Sequence, residues 1–283
     1  MSKIILSADS ICDLNQELIE KYNIHTTPYT IVIGENTYKD NVDITPSDIY
    51  KAYWEEGILP KTASINVGEY YNYFKPWVDD GYEIIHITLA SVLTSSYNNC
   101  NLAATDLDGV HIIDSQNLSV GTGLLVLKAA ELIEEGLGAQ EIVERLKKHR
   151  EKIHMSFILD NLEFLHAGGR CSKITSLSSS VLKIKPVINV DNLSGSMSPG
   201  SKYRGNLDKS IVKYIKNKIS SYENINDEKI FIVHSGIDDS YIDLAKETIK
   251  KMMDFKEIHI TRASCTISSH CGPNTLGIAF ETK

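Results

Sequence analysis

The stretch Tyr82–Glu135, "YEIIHITLASVLTSSYNNCNLAATDLDGVHIIDSQNLSVGTGLLVLKAAELIEE", sets the fold class. Tyr82–Leu89 is an apolar run of strand length. Leu93–Asp106 has helical composition and follows a hydroxyl-rich loop. Val110–Asp114 is a second short strand, and Ser119–Glu135 is a long apolar helix. A strand–helix–strand–helix alternation with near-continuous apolar strands predicts an α/β fold around a largely parallel sheet.

The pattern extends upstream. Lys3–Ala8 is a buried strand ended by Asp9-Ser10, Asn15–Tyr22 is a short helix, and Ile24–Ile33 is extended. "TPSDIYKAYWEEG" opens with Thr45 as N-cap, Pro46 at the first helical position and Asp48 three residues on, and closes at Gly57. Those are the start and stop signals of a helix. Val67–Asp80 is another helix, and Ala139–Lys152 turns a charged face to solvent.

Past His154 the character changes. "HMSFILDNL" is a strand entering a helix, and Leu177–Ile184 is apolar and helical. Lys185-Pro186 ends that helix, and Val187–Val190 is a strand. "DNLSGS" is a hairpin turn. Leu207–Ser221 and Asp239–Phe255 are helices; Lys229–His234, Glu257–Thr261 and Thr275–Phe280 are strands. Hairpins mixed with helices predict an α+β part with a mixed or antiparallel sheet. The expected domains are 1–152 and 153–283.

Composition narrows the function. The 283 residues carry a net charge of −8, which disfavours nucleic acid and anionic lipid surfaces. The longest apolar run, Gly121–Ala130, is interrupted by Lys128 and is too short for a membrane span. The N-terminal apolar stretch is shorter than a signal peptide requires, so a cytoplasmic protein is expected. Five scattered cysteines without a CxxC pair disfavour a disulfide framework. Cys265, His270 and Cys271 offer three ligands at an unusual spacing where a zinc site needs four, so no metal is expected.

No P-loop, dinucleotide fingerprint, GxSxG elbow or HExxH stands in the sequence. The Gly121-Thr122-Gly123 run reads as close helix packing. Two hydroxyl-rich loops precede helices: Thr62, Ser64 and Asn66, then Ser91, Thr94, Ser95 and Ser96. Hydroxyls and free amides at a helix start attract an anion, but the same residues are also ordinary N-caps. His270 lies beside Gly272-Pro273, where a loop imidazole could hold a carboxylate or simply face solvent. Arg170 follows Gly168-Gly169, as a cation at a helix end or as a contact for a phosphate or partner.

Seven segments occur in order: "LSADSICDL", "PKTASINVGEY", "ITLASVLTSSY", "HIIDSQNLSVGTG", "LDNLEFLHAGGRCSK", "LKIKPVI" and "SSHCGPNTLGIAF". Together, from Ser7 to Phe280, they resemble the DegV family of bacterial fatty-acid-binding proteins. The resemblance implies a long-chain fatty acid as ligand and no cofactor. Its carboxylate would lie between two α/β domains and its tail in an apolar tunnel. It also implies a non-catalytic role, the lipid-binding subunit of a fatty acid kinase. A separate ATP-binding kinase subunit would convert the bound acid to an acyl phosphate. By position, Thr62, Thr94, Ser95 and His270 would hold the carboxylate, and Arg170 and Arg204 would contact the phosphate or the partner. Tunnel candidates are Phe157, Leu162, Leu165, Leu177, Val181 and Leu182.

The sequence departs from the family pattern at several places. Ala63-Ser64 stands for Ser-Gln, Thr94-Ser95-Ser96 for Ser-Gly-Thr, Asn274 for a Gly, and Ala8 for a Thr. Two other readings stay open: a carrier of another small carboxylate or apolar ligand, and a hydrolase or transferase using His270 with Cys271 or a hydroxyl. Against the latter, adjacent residues on an extended chain point apart.

Overall fold

The computed structural model describes residues 3–170 and 184–283. The first part runs β1 (Ile4–Asp9), α1 (Gln16–Lys21), β2 (His25–Thr27), β3 (Thr30–Ile33), β4 (Asn36–Lys39), α2 (Pro46–Glu56) and β5 (Lys61–Ala63). It continues with α3 (Val67–Asp79), β6 (Glu83–Thr88), α4 (Ser96–Ala104), β7 (Val110–Asp114), α5 (Val120–Glu134) and α6 (Ala139–His149). The second part holds β8 (Ile153–Ile158), α7 (Glu163–Ala167), β9 (Ile184–Val190), β10 (Met197–Arg204), α8 (Leu207–Ser220) and β11 (Ile225–His234). It closes with α9 (Asp239–Met252), β12 (Glu257–Arg262), α10 (Cys265–Cys271) and β13 (Leu276–Thr282).

Strands β2, β1, β6 and β7 form a four-stranded sheet in that order, every pairing parallel. Five of the six residues of β1 and of β6 are buried, as strands covered on both faces require. The second sheet has six strands in the order β10-β9-β8-β13-β11-β12, antiparallel except for the β11–β12 pair. The fold is thus α/β, with a parallel sheet in the first part and a mixed one in the second.

Helix α5 packs on β1 and β6 of the first sheet and on β8 and β13 of the second. That position explains its composition: a helix apolar on every side must be buried on every side. Close packing also explains the glycines of its first turn. A Cβ on Gly123 would come within 2.6 Å of the Cys12 carbonyl, and one on Gly121 within 1.9 Å of the Asn117 side chain. Helix α2 begins as expected, the Thr45 amide donating to Asp48 at 2.9 Å, and ends at Gly57 with φ of 68°. Among the described residues no helix is long and apolar enough to cross a membrane.

Several elements differ from expectation. A third, three-stranded antiparallel sheet, β4-β3-β5, replaces what read as a single extended stretch followed by loop. Lys185-Pro186 does not end a helix; both residues lie inside β9. The missing amide of Pro186 is tolerated beside a break in register of the β9–β10 pair, between Pro199 and Lys202. The helix expected over Leu177–Ile184 falls, up to residue 183, outside the described residues, and Ile184 opens β9. Leu93–Thr94–Ser95 precede α4 rather than belong to it.

The largest correction concerns His270, which lies in the last turn of α10 and not on a loop. This seven-residue helix is rich in Ser, Thr and Cys, which have no strong intrinsic helix preference. It forms because the first part supplies its cap. Buried Asp13 accepts the Ser264 amide at 2.9 Å, and buried Asp40 accepts the amides of Cys265 (2.8 Å) and Thr266 (3.2 Å). Ser264 itself accepts from the Ile267 amide.

Burial pushes the Asp13 carboxyl up to about 7, against the hydrogen bonds from Ser119 and Ser264, and raises Asp40 as well. The folded chain therefore holds a proton on Asp13 in a range where the unfolded chain has released it. Stability from this group is present at low pH and is lost as pH rises through about 7. Asp13→Asn keeps an acceptor for Ser264 and cannot titrate. Between about pH 4 and 7, urea unfolding should show wild type gaining on this variant as pH falls, by at most about 1.4 kcal/mol per pH unit. Parallel stability curves for the two proteins would refute the assignment.

Candidate functional site

A cavity of about 290 Å³ opens between β5 and the loop before α4 of the first part and α10 and β8 of the second. Its polar end is formed by Thr62 and Ser64, by Thr94 and Ser95, and by Arg170 and His270. Leu89, Leu93, Leu118, Phe157, Leu165 and Ile267 are among its apolar walls.

Each polar side chain has a traceable position. Thr62 sits on β5, which β3 holds in register through the Ile31–Thr62 pair. Its hydroxyl lies 2.9 Å from His270 Nε2. Ser64 and Ser95 hydroxyls are 2.7 Å apart, bridging the β5 and α4 loops. Thr94 Oγ1 accepts from the Ser96 amide at 3.2 Å, so this hydroxyl both caps α4 and lines the cavity. The positive end of a helix dipole therefore adjoins the polar end of the cavity. Ser95 has φ of −81°, an ordinary value, so a side chain in place of glycine introduces no backbone strain.

His270 is largely enclosed. Its Nδ1 is buried without a hydrogen-bond partner, and a Cβ on Gly168 would come within 2.2 Å of it. Gly168 is therefore a steric requirement of the imidazole's position. Burial, with the Arg170 guanidinium adding to it, pushes the His270 imidazole down to about 4. At neutral pH the ring is uncharged, with one donor and one acceptor nitrogen. Arg170 is exposed and folds back on the carbonyl of Gly168 at 2.8 Å.

Behind the cavity lies a buried network. Asp9 accepts from Tyr70 (2.6 Å), Leu89 N (3.0 Å) and Tyr29 (3.2 Å), with His86 Nε2 at 3.2 Å. Ser7 sits 2.7 Å from the other nitrogen of His86. This Ser–His–Asp string is wholly buried and none of the three lines the cavity. Its effect is to fix Tyr29 and Leu89, which do.

Of the residues singled out in the sequence, Thr62, Thr94, Ser95, His270 and Arg170 line one cavity, together with Phe157 and Leu165. Arg204 is exposed at the end of β10 and is not among the lining residues. Leu162 packs on the main core instead, and Leu177, Val181 and Leu182 lie outside the described residues. Asn66 and Ser91 are structural: Asn66 caps α3 through the Glu69 amide, and Ser91 binds Asp114. Cys265 turns its sulfur to Asn41 and the Ile44 carbonyl, away from the cavity that His270 and Cys271 line. Cys271 follows His270 on a helix, not an extended chain, and burial pushes its thiol up to about 12. Missed in the sequence were Tyr29, Met197 and Thr266, and the wall residues Leu89, Leu93, Leu118 and Ile267. No local signal marks them, because only the tertiary fold brings them to the site.

His270 should give a titration that is invisible across the neutral range. Its ring NMR shifts should stay constant from pH 8 down to pH 5.5, and Arg170→Met should raise its midpoint by removing a like charge. A midpoint near 6.5 in wild type would contradict the enclosed, neutral imidazole.

The family model described as "Uncharacterised protein, DegV family" matches residues 3–283. A DegV domain-containing protein of Clostridium perfringens is 32% identical, the alignment covering 99% of each chain. One of Caldanaerobacter subterraneus is 29% identical across 100% of both. Among solved structures, a DegV family protein from Thermus thermophilus, described by its fatty acid binding, superposes with a TM-score of 0.90. It is 25% identical and covers 99% of this chain and 100% of its own. A stearic acid-binding protein from Eubacterium ventriosum shares the fold, with a TM-score of 0.84 at 24% identity over 100% and 99% of the two chains.

Proposed function

Since the chain belongs to the DegV family, we propose that it binds a long-chain fatty acid between its two parts, 1–152 and 153–283. The observation that carries this reading is the polarity of the cavity. Thr62, Ser64, Thr94 and Ser95 line it together with His270, Thr62 paired with His270 and Ser64 with Ser95, alongside aliphatic and aromatic walls. A carboxylate taken from water needs several donors, because an unpaired buried charge costs several kcal/mol. Thr62, Thr94, Ser95 and His270 supply them from neutral groups. The tail gains roughly 0.8 kcal/mol per buried methylene, so affinity rests on the apolar walls and orientation on the polar end. The fatty acid described for the Thermus thermophilus protein agrees with this reading.

The same reading extends to a partner. A separate ATP-binding kinase subunit would phosphorylate the carboxylate of the bound acid, this chain holding the substrate and doing no chemistry itself. Arg170 would contact the phosphate or that subunit, and its exposed position at the polar end supports the role. Arg204, exposed on β10, would add a partner contact.

Native mass spectrometry followed by organic extraction of the purified protein should release a long-chain fatty acid. No co-purifying acid, together with no binding of added palmitate or oleate, would reject the proposal. Thr62→Val and His270→Ala should each weaken binding by about 1.5–3 kcal/mol, roughly ten- to a hundredfold in Kd. Gly168→Ala, which touches no ligand in this reading, should weaken it too by displacing the imidazole. Arg170→Ala should keep the acid while lowering phosphorylation by an added kinase subunit and ATP.

A further inference from the structure

Tyr29 lines the cavity and also belongs to the buried network behind it. Its hydroxyl carries one proton, and that proton points at Asp9 Oδ2, 3.2 Å away. Asp9 is wholly buried and is fixed by other donors, the Tyr70 hydroxyl at 2.6 Å and the Leu89 amide at 3.0 Å. The phenol is therefore tethered from behind, and its oxygen keeps only lone pairs for other neighbours.

Those neighbours are the hydroxyls that open α4. Burial and the charge of Asp9 raise the Tyr29 phenol well above the usual tyrosine range, and hydrogen bonds from the side chains of Ser96 and Thr94 act against that rise. The two hydroxyls thus serve the phenol oxygen as donors. They also meet each other, Thr94 Oγ1 donating to Ser96 Oγ at 3.2 Å and accepting from the Ser96 amide at 3.2 Å. Ser96 is wholly buried and does not line the cavity, whereas Thr94 does. Asp9, Tyr29, Ser96 and Thr94 form a chain of hydrogen-bonding groups that runs from the core to the cavity surface.

The direction of that chain matters for a ligand. A Thr94 hydroxyl that turns to a head group withdraws its proton from Ser96. Ser96 is buried, and a buried hydroxyl without a partner is costly. The Tyr29 oxygen removes that cost by accepting the Ser96 proton, and Asp9 keeps the phenol turned so that its oxygen is free to do so. Resting on the fatty-acid reading of the cavity, we propose that Tyr29 is a positioning residue for the head group: tethered to Asp9, it holds Ser96 and so leaves the Thr94 hydroxyl free to donate to the carboxylate.

The test is a double-mutant cycle on the delipidated full chain, read as Kd for palmitate and for oleate. Tyr29→Phe keeps the ring in the wall and leaves Asp9 its bonds from Tyr70 and the Leu89 amide. It should weaken both acids roughly three- to tenfold. In a Thr94→Val background, which lacks the hydroxyl that Tyr29 serves, the same change should cost nothing further. The infrared carboxylate stretch of bound palmitate should also shift in Tyr29→Phe, because the hydrogen bond from Thr94 changes. An equal loss in both backgrounds, an unchanged Kd or an unshifted stretch overturns the positioning role and leaves the fatty-acid reading intact. If Tyr29→Phe fails to fold, Ser96→Ala breaks the same chain one link nearer the cavity, and its Kd and stretch decide by the same criteria. Failure of wild type to bind either acid overturns the fatty-acid reading, and this inference with it.

Discussion

Two buried aspartates at the start of a seven-residue helix hold this structure's site together. Asp13 and Asp40 come from the first part of the chain, and α10 comes from near its end. The first amides of any helix lack internal partners, and buried they would each cost free energy. A carboxylate buried alone would cost more. Each side solves part of the other's problem: the amides donate to the carboxyl oxygens, although burial still raises both carboxyls. The residues involved stand more than 220 positions apart in sequence. Local propensity therefore cannot produce the contact; it forms only when both parts are folded and docked. Around it, Cys265 packs with Ile31, Ile44, Ile49, Tyr50 and Phe164 in a small core of its own.

From that anchor the position of His270 follows. The helix is capped at its start by the aspartates and ends at Gly272, where φ is +73° and a Cβ would run into Phe164 at 2.7 Å. Over so short a helix the imidazole has little freedom, and Thr62 and Gly168 bound it from two other elements. The opposite wall is fixed by a different charge. Asp9, buried at the end of β1, holds the Tyr29 hydroxyl and the Leu89 amide. Buried carboxylates thus brace the site from two sides without entering it.

Legibility in the sequence divides along the same line. Strands β1, β6 and β7 are near-continuous apolar runs, and α2 carries its own cap and stop, so each announces itself locally. Strand β10, "MSPGSKYR", does not: it is polar, contains Pro and Gly, and owes its conformation to pairing with β9. The short, half-exposed strands β3, β4 and β5 fail for the same reason, although β5 carries Thr62. Thr62, Thr94, Ser95, His270 and Arg170 were singled out by resemblance and by their loops, and they do meet in one cavity. What the residues could not reveal was that His270 is helical. A run of Ser, Thr and Cys has no helix signal until two distant carboxylates supply its cap. Asn274, by contrast, takes φ of +59°, within the left-handed range that Asn accepts more readily than most residues, so its replacement of glycine costs the turn little.

The neutrality of the polar end bears on how such a site can both hold and surrender a ligand. A buried arginine–carboxylate pair would be tight, yet breaking it would strand a charge in the interior at a cost of about 3–5 kcal/mol. Hydroxyls and an uncharged imidazole avoid that penalty, and they also have partners within the protein: Thr62 lies 2.9 Å from His270 and Ser64 2.7 Å from Ser95. The donors can exchange one partner for another. Among the described lining residues the one permanent cation is Arg170, which is exposed and lowers the basicity of His270. On the proposed fatty-acid reading, affinity would rest on the apolar walls, which do not distinguish head groups, and selection of the head group on neutral donors.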